Sequence, residues 1–178
     1  MLRYLEGTLA FGLLCKKGSD LQVFGYSDAS HGDDSDTRRG RAGYAFLSGG
    51  AAVSWKSIML ETVTHSSCES EYLALSVAGN EAIYLSQMQK ELGIAGEGGV
   101  LLLRDNESSM KLAENPAFHK RSKHVEIKYH SIRERVAKKK IELKFVRSEE
   151  QAADMFSKAV SAKVLKVNCV LVGLVHEE

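Results

Sequence analysis

Proline and cysteine are scarce in this chain, and neither sign of charge is in excess. The single proline, Pro116, closes a short helical unit that ends near Glu114. The three cysteines, Cys15, Cys68 and Cys169, are odd in number and widely scattered. They form neither a disulfide framework nor a zinc-binding spacing, so a reducing intracellular setting, cytoplasmic or nuclear, is expected. Lysine and arginine total 24 against 23 acidic residues, a formal net charge of +1. That argues against a strongly basic nucleic-acid binder but leaves room for local basic patches. The apolar start MLRYLEGTLAFGLL is interrupted by Arg3 and Glu6 and lacks a small-residue cleavage site. Neither a signal peptide nor a membrane span is expected from it.

What remains is the composition of a globular protein. The chain has 178 residues, enough for one domain, or one domain with an appended helix, around a substantial core. Leu2, Leu5, Leu9 and Leu13 have helical spacing over Leu2–Cys15, weakened by Gly7 and Gly12. After the turn cluster KKGSD, the run Leu21–Ser30 (LQVFGYSDAS) reads as a strand, and two more follow at Ala42–Ser48 and Ala51–Ser57. Gly49-Gly50 joins the last two as a hairpin, so an antiparallel meander is expected. Tyr72, Leu75, Ala78, Ala82, Leu85 and Met88 mark one long helix from Ser66 to Gly93. The wholly apolar Val100–Leu103 has the pattern of a strand buried on both faces. A short helix over Glu107–Glu114 follows. An amphipathic helix is expected over His119–Lys140, with its stripe at Val125, Tyr129, Ile132 and Val136. Ile141–Val146 alternates as a half-buried strand. Ser148–Gln151 has the capping-box form and opens a helix running to Val160, and Val164–Val175 packs back as a further helix. The order is that of a mixed α/β domain.

Four acids fall at junctions of these elements. Asp28 ends the first strand and Asp105 follows the buried strand. Glu71 lies in the first turn of the long helix, bordering its buried face more closely than Glu69, and Asp154 lies early in the last helix. Each has a plain structural reading: Asp28 opens a turn with Ser30, Gly32 and Asp33, and acids suit helix N-termini. Four together would repel one another unless a multivalent cation neutralised them. All-oxygen ligation suits Mg²⁺ or Mn²⁺, and paired ions serve in-line phosphoryl displacement. Basic residues also cluster, with Arg38, Arg39 and Arg41 after the first strand and Lys120, Arg121, Lys123 and His124 before the amphipathic helix. Both groups fit either phosphate contact or a solvated face, whereas Lys138–Lys140 reads as a solvated face.

Seven stretches resemble, in order and spacing, the ribonuclease H domain of copia-type LTR-retrotransposon Pol polyproteins. They are LRYLEGT, GYSDAS, RRGRAGYAFLSGGAAVSWKS, ESEYLAL, DNESSMKLAENPAFHKRSKHVEIKYHSIRE, IELKFV and EEQAADMFSKA. The resemblance implies an α/β ribonuclease H-like fold, a five-stranded mixed sheet with strands one to three antiparallel, flanked by helices. It implies residues 1–19 as a linker helix from the end of a reverse transcriptase region, 20–160 as the ribonuclease H domain and 161–178 as a helical tail. It also implies catalytic metal ligands at Asp28, Glu71, Asp105 and Asp154, holding two Mg²⁺ ions, or Mn²⁺ in their place. The implied activity is endonucleolytic hydrolysis of the RNA strand of an RNA–DNA hybrid, clearing template during reverse transcription. The implied partners are the hybrid duplex and the reverse transcriptase domain of a parent polyprotein, with no membrane. Ser27 and Asn106 are placed to contact the nucleic-acid backbone, beside Arg38, Arg39, Lys123 and His124. His124 is the residue to test for product release or proton transfer, against the reading of an ordinary surface histidine. Two local departures stand beside the site: ASHGDD follows Asp28 with His31 in the aromatic position, and Arg147 replaces a proline. The chain carries no reverse transcriptase or integrase segment, so a fragment or stand-alone copy is expected. An inactive or co-opted copy that binds nucleic acid or protein is the alternative.

Overall fold

The computed structural model describes residues 6–94, 96, 98–114 and 123–176, without the side chains of 112, 114 and 123–129. Its centre is a five-stranded sheet in the order β4-β3-β2-β5-β6. The strands are β2 (Phe24–Ala29), β3 (Arg41–Ser48), β4 (Ala51–Met59), β5 (Val100–Arg104) and β6 (Ile141–Phe145). β2, β3 and β4 are antiparallel, whereas β5 and β6 join parallel to β2, giving the expected mixed sheet. The β3–β4 hairpin turns on Gly49 and Gly50, whose φ angles of 63° and 86° are both in the region that side chains disfavour.

Alternation along the strands divides the core into two layers. Tyr44, Phe46 and Leu102 face the long helix α1 (Ser67–Glu91) and pack with its Tyr72, Leu75, Ala78 and Ala82. Ala45, Leu47 and Leu103 point the other way and pack with Tyr26, Ala152, Ala153 and Val172. The apolar run in β5 is thus buried on both sides. Ser66 caps α1 by accepting from the Glu69 N–H, and Gly93, at φ 70°, ends it. The remaining helices are α2 (Glu107–Glu114), α3 (Lys123–Ala137), the four-residue α4 (Asp154–Ser157) and α5 (Ala162–Leu171). Of the stripe expected on α3, Ile132 is fully buried and Val136 packs against the core, while the side chains of Val125 and Tyr129 lie outside the described residues.

Three expected helices need correction. Leu2–Cys15 is not a continuous helix: within its described part, residues 7–10 form a turn and β1 (Phe11–Leu13) is a strand. The expected helical tail likewise breaks after Leu171 into β7 (Leu174–His176), which pairs antiparallel with β1. Gly12, opposite Val175, is poor in a helix, and its partner is remote in sequence, so local periodicity misses the pairing. The helix expected from Ser148 is also interrupted. Ser148–Glu150 forms a single 3₁₀ turn without a side-chain cap, and α4 starts only at Asp154. Among the described residues no helix is long and apolar enough to cross a membrane.

Candidate functional site

The site forms where the central strands end. β2 and β5 run parallel with Tyr26 opposite Leu103, so two residues further on Asp28 and Asp105 stand at neighbouring strand ends. α1 crosses above them and brings Glu71. Asp28, Glu71 and Asp105 each present an oxygen within 4.8 Å of the others. Asp28 and Glu71 are buried and Asp105 is half-buried. An all-oxygen donor set of this span fits a hard divalent cation.

Asp154, the first residue of α4, lies beside Asp28 rather than within that triangle. Lys158 joins the two, with its Nζ 2.9 Å from Asp154 Oδ1 and 3.5 Å from Asp28 Oδ2. Ser157 Oγ donates to Asp28 Oδ2, and Ser148 Oγ donates to Asp105 Oδ2 at 2.9 Å. α4 comes this close because Gly43, paired with Asp28 across the sheet, has no side chain. A Cβ there would lie 2.8 Å from Phe156 atoms and 2.9 Å from the Ser157 nitrogen.

Arg104, the last residue of β5, is wholly buried. Its Nη2 donates to the Glu71 carbonyl at 2.7 Å and to Glu71 Oε2 at 2.5 Å. Burial nevertheless dominates the electrostatics of Glu71. With repulsion from Asp28 and Asp105 it outweighs the attraction of Arg104 and pushes the carboxyl up to about 8. Asp154 is pushed up to about 6, mainly by burial and by Asp28, against the pull of Lys158. For Lys158, burial favours the neutral amine, but the hydrogen bond to Asp154 and the charges of Asp28, Asp154 and Asp105 raise its pKa overall. These shifts describe a concentration of negative charge that its two internal cations only partly offset.

The sequence singled out all four acids but missed their partners. Arg104 looks like the polar end of an apolar strand, and Ser148 and Ser157 look like helix residues. Lys158 had a local signal, since it stands four residues after Asp154. Glu69 is buried too, but it does not join the triangle. It reaches back along the chain, its Oε2 accepting from the His65 N–H at 2.8 Å.

The residues proposed for duplex contact are spread more widely. Ser27 is fully buried, so its hydroxyl does not reach the surface, and its carbonyl accepts from Gln151 Nε2 at 3.2 Å. Asn106 caps α2, its Oδ1 accepting from the Ser109 N–H at 2.9 Å. Arg38 is exposed and Arg39 half-buried. Arg41, rather than either of these, lines a cleft of about 560 Å³ together with Ser57, Ser157 and Lys158. Lys123 and His124 open α3, but their side chains lie outside the described residues, as do Lys120 and Arg121 altogether. His31 is tied through Nδ1 to Thr64 Oγ1 at 2.9 Å and to Ser70 Oγ at 3.2 Å, next to Glu71 in α1.

No protein-family model matches the chain. Among curated proteins it is similar to the Retrovirus-related Pol polyprotein from transposon TNT 1-94 of Nicotiana tabacum, with 36% identity over 174 residues, 98% of this chain. It is also similar to the corresponding polyprotein from transposon RE1 of Arabidopsis thaliana, with 35% identity over 161 residues, 90% of this chain. The chain spans only 13% and 11% of those two proteins. Among solved structures, a ribonuclease H1 isolated from compost by metagenomics superposes with a TM-score of 0.57 at 16% identity, covering 77% of this chain and 93% of that one. A foamy viral protease-reverse transcriptase, solved with an RNA/DNA hybrid, gives 0.56 at 14% identity, covering 87% of this chain and 22% of that one. At these identities the solved structures establish the fold.

Proposed function

We propose that this chain, which belongs to the copia-type retrotransposon Pol polyproteins and has a ribonuclease H fold, cuts the RNA strand of RNA–DNA hybrids in a metal-dependent reaction. The observation that carries the proposal is the meeting of Asp28, Glu71 and Asp105 within 4.8 Å at the ends of the central strands. Three carboxylates so close, one of them pushed up to about 8 chiefly by burial, form a site that a divalent cation would stabilise.

In this reading Asp28, Glu71 and Asp105 hold Mg²⁺ or Mn²⁺, and Asp154 extends the site toward a second ion. Bound ions would supply an activated water and neutralise the departing 3′-oxygen. Arg104 fixes the Glu71 carboxylate, while Ser157 and Ser148 orient Asp28 and Asp105 through donated hydrogen bonds. Selection of a hybrid would rest on duplex shape and 2′-hydroxyl contacts rather than base sequence. Arg41 and Lys158, in the cleft beside the acids, are suited to meet phosphates.

We assign residues 20–160 to the catalytic domain, 1–19 to a linker from a reverse transcriptase region and 161–178 to a tail. The β1–β7 pairing links the last two segments. The test is incubation of purified protein with a labelled RNA–DNA hybrid. Cleavage of the RNA strand with Mg²⁺, stopped by a chelator, is the expected result. A folded sample that binds the hybrid without cutting it would instead make the chain a binding module.

A further inference from the structure

Lys158 stands between Asp28 and Asp154, the two carboxylates assigned above to the side of a second ion. Its ammonium nitrogen is 2.9 Å from Asp154 Oδ1 and 3.5 Å from Asp28 Oδ2. A magnesium ion binds carboxylate oxygens at about 2.0–2.1 Å and keeps several waters, so it cannot share this space with the ammonium. We propose that Lys158 is a resident counter-cation, which closes the Asp28–Asp154 side of the site until it swings away to admit a second ion. The inference rests on the metal-binding function proposed above.

Charge and mobility both favour this arrangement. When all four are ionised the carboxylates carry four negative charges, and Arg104 and Lys158 return two positive ones. The remaining charge of minus two is that of one divalent cation, and Lys158 borders the Asp28–Glu71–Asp105 triangle on its Asp28 side. Arg104 is wholly buried and anchored to Glu71, so it cannot leave. Lys158 can. It lies just past the last residue of a four-residue helix, its side chain is 40% exposed, and it borders the cleft that also holds Arg41 and Ser57. A flexible lysine stem allows the charge to be withdrawn toward solvent or toward a phosphate of the substrate. Substrate binding would then be coupled to opening of the second ion position.

The experiment is a Mn²⁺ titration of the full chain, with bound ions counted by electron paramagnetic resonance and affinities measured by calorimetry. Wild type should bind one ion tightly and a second at least about tenfold more weakly. Lys158→Gln should tighten the second step by about tenfold or more, and the first step less, because a positive charge within a few ångströms of both Asp154 and Asp28 has been removed. Lys158→Arg keeps the charge and should retain the two-step curve, and Asp154→Asn should erase the second step. Circular dichroism verifies folding of each variant, and Lys158→Met provides a second neutral substitution. Two equal steps in wild type, or unchanged affinities in both neutral variants, overturn the proposal. If a tight ion lost in Asp28→Asn persists while the Lys158 variants change nothing, the counter-cation role fails but the metal-site reading stands. If no ion binds to the folded wild type, both fail.

Discussion

Arg104 grips Glu71 twice, donating from one guanidinium nitrogen to the main-chain carbonyl at 2.7 Å and to the carboxylate at 2.5 Å. The first contact ties the end of β5 to the opening of α1, and the second fixes the side chain that completes the acidic triangle. Nε and Nη1 of Arg104 have no hydrogen-bond partner among the described residues, so the pair is held in a costly environment for the sake of one carboxylate. Removing the cation alone leaves Glu71 buried beside Asp28 and Asp105. Above about pH 8, where Glu71 is ionised, Arg104→Met should therefore destabilise the metal-free protein by about 3–5 kcal/mol in urea unfolding, and adding Glu71→Gln should recover part of that loss. A single variant as stable as the parent would contradict this.

Asp28 is the acid most enclosed by the protein, with 1% exposure, a hydroxyl donated by Ser157 and the ammonium of Lys158 nearby. Asp28→Asn keeps its shape and removes its charge. Loss of partners that merely orient metal ligands commonly costs 10–100-fold, so loss of a ligand's charge should lower hybrid cleavage by at least about a hundredfold. The variant should retain the wild-type circular dichroism spectrum. Cleavage at the parent rate by Asp28→Asn would remove Asp28 from the metal site.

The acids were legible in the sequence because each stands where a periodic pattern stops. Asp28 ends LQVFGYSDAS, Asp105 follows VLLL, and Glu71 borders the apolar stripe of α1. Their partners were not, because a partner is a contact between distant segments. Nothing in VLLLR indicates that its arginine turns inward to a helix 33 residues earlier. The mixed sheet followed from strand patterns and resemblance together. The β1–β7 ribbon escaped because Phe11 and His176 meet only once the chain has closed around its core. Both Glu69 and Glu71 are buried because one turns back toward His65 while the other turns to Arg104, a difference that helical phase alone does not encode.

Gly43 controls how closely α4 approaches the sheet. It pairs with Asp28, and an added Cβ would press on the backbone at Phe156 and Ser157, which cannot yield as a flexible side chain would. Gly43→Ala should lower stability by about 1–3 kcal/mol through overpacking. It should also displace Asp154, Ser157 and Lys158 together, so hybrid cleavage should fall more than the folded fraction explains. Thermal denaturation and cleavage rates measured on the same preparation separate the two effects. An unchanged rate per folded molecule would show that α4 tolerates the shift.

Metal removal should invert the effect of pH on stability at this site. Burial first, then Asp28 and Asp105, push the Glu71 carboxyl up to about 8 against the pull of Arg104, from an ordinary value of 4.5. Asp154 moves the same way, from 3.8 to about 6. Between its unfolded and folded values each acid binds more protons in the native state than in the unfolded chain. The stability this contributes is complete below the unfolded values and is lost as pH rises through the folded ones. In a chelator, the melting temperature should therefore fall across that window, with most of the loss complete just above pH 8. On the proposed function Mg²⁺ would bind the ionised carboxylates and not the unfolded chain, so saturating Mg²⁺ should flatten or reverse the slope. Melting curves recorded across this range with EDTA and with Mg²⁺ make the comparison directly. A metal-free melting temperature that rises toward pH 8 would show that the acids are not held together in the way their distances imply.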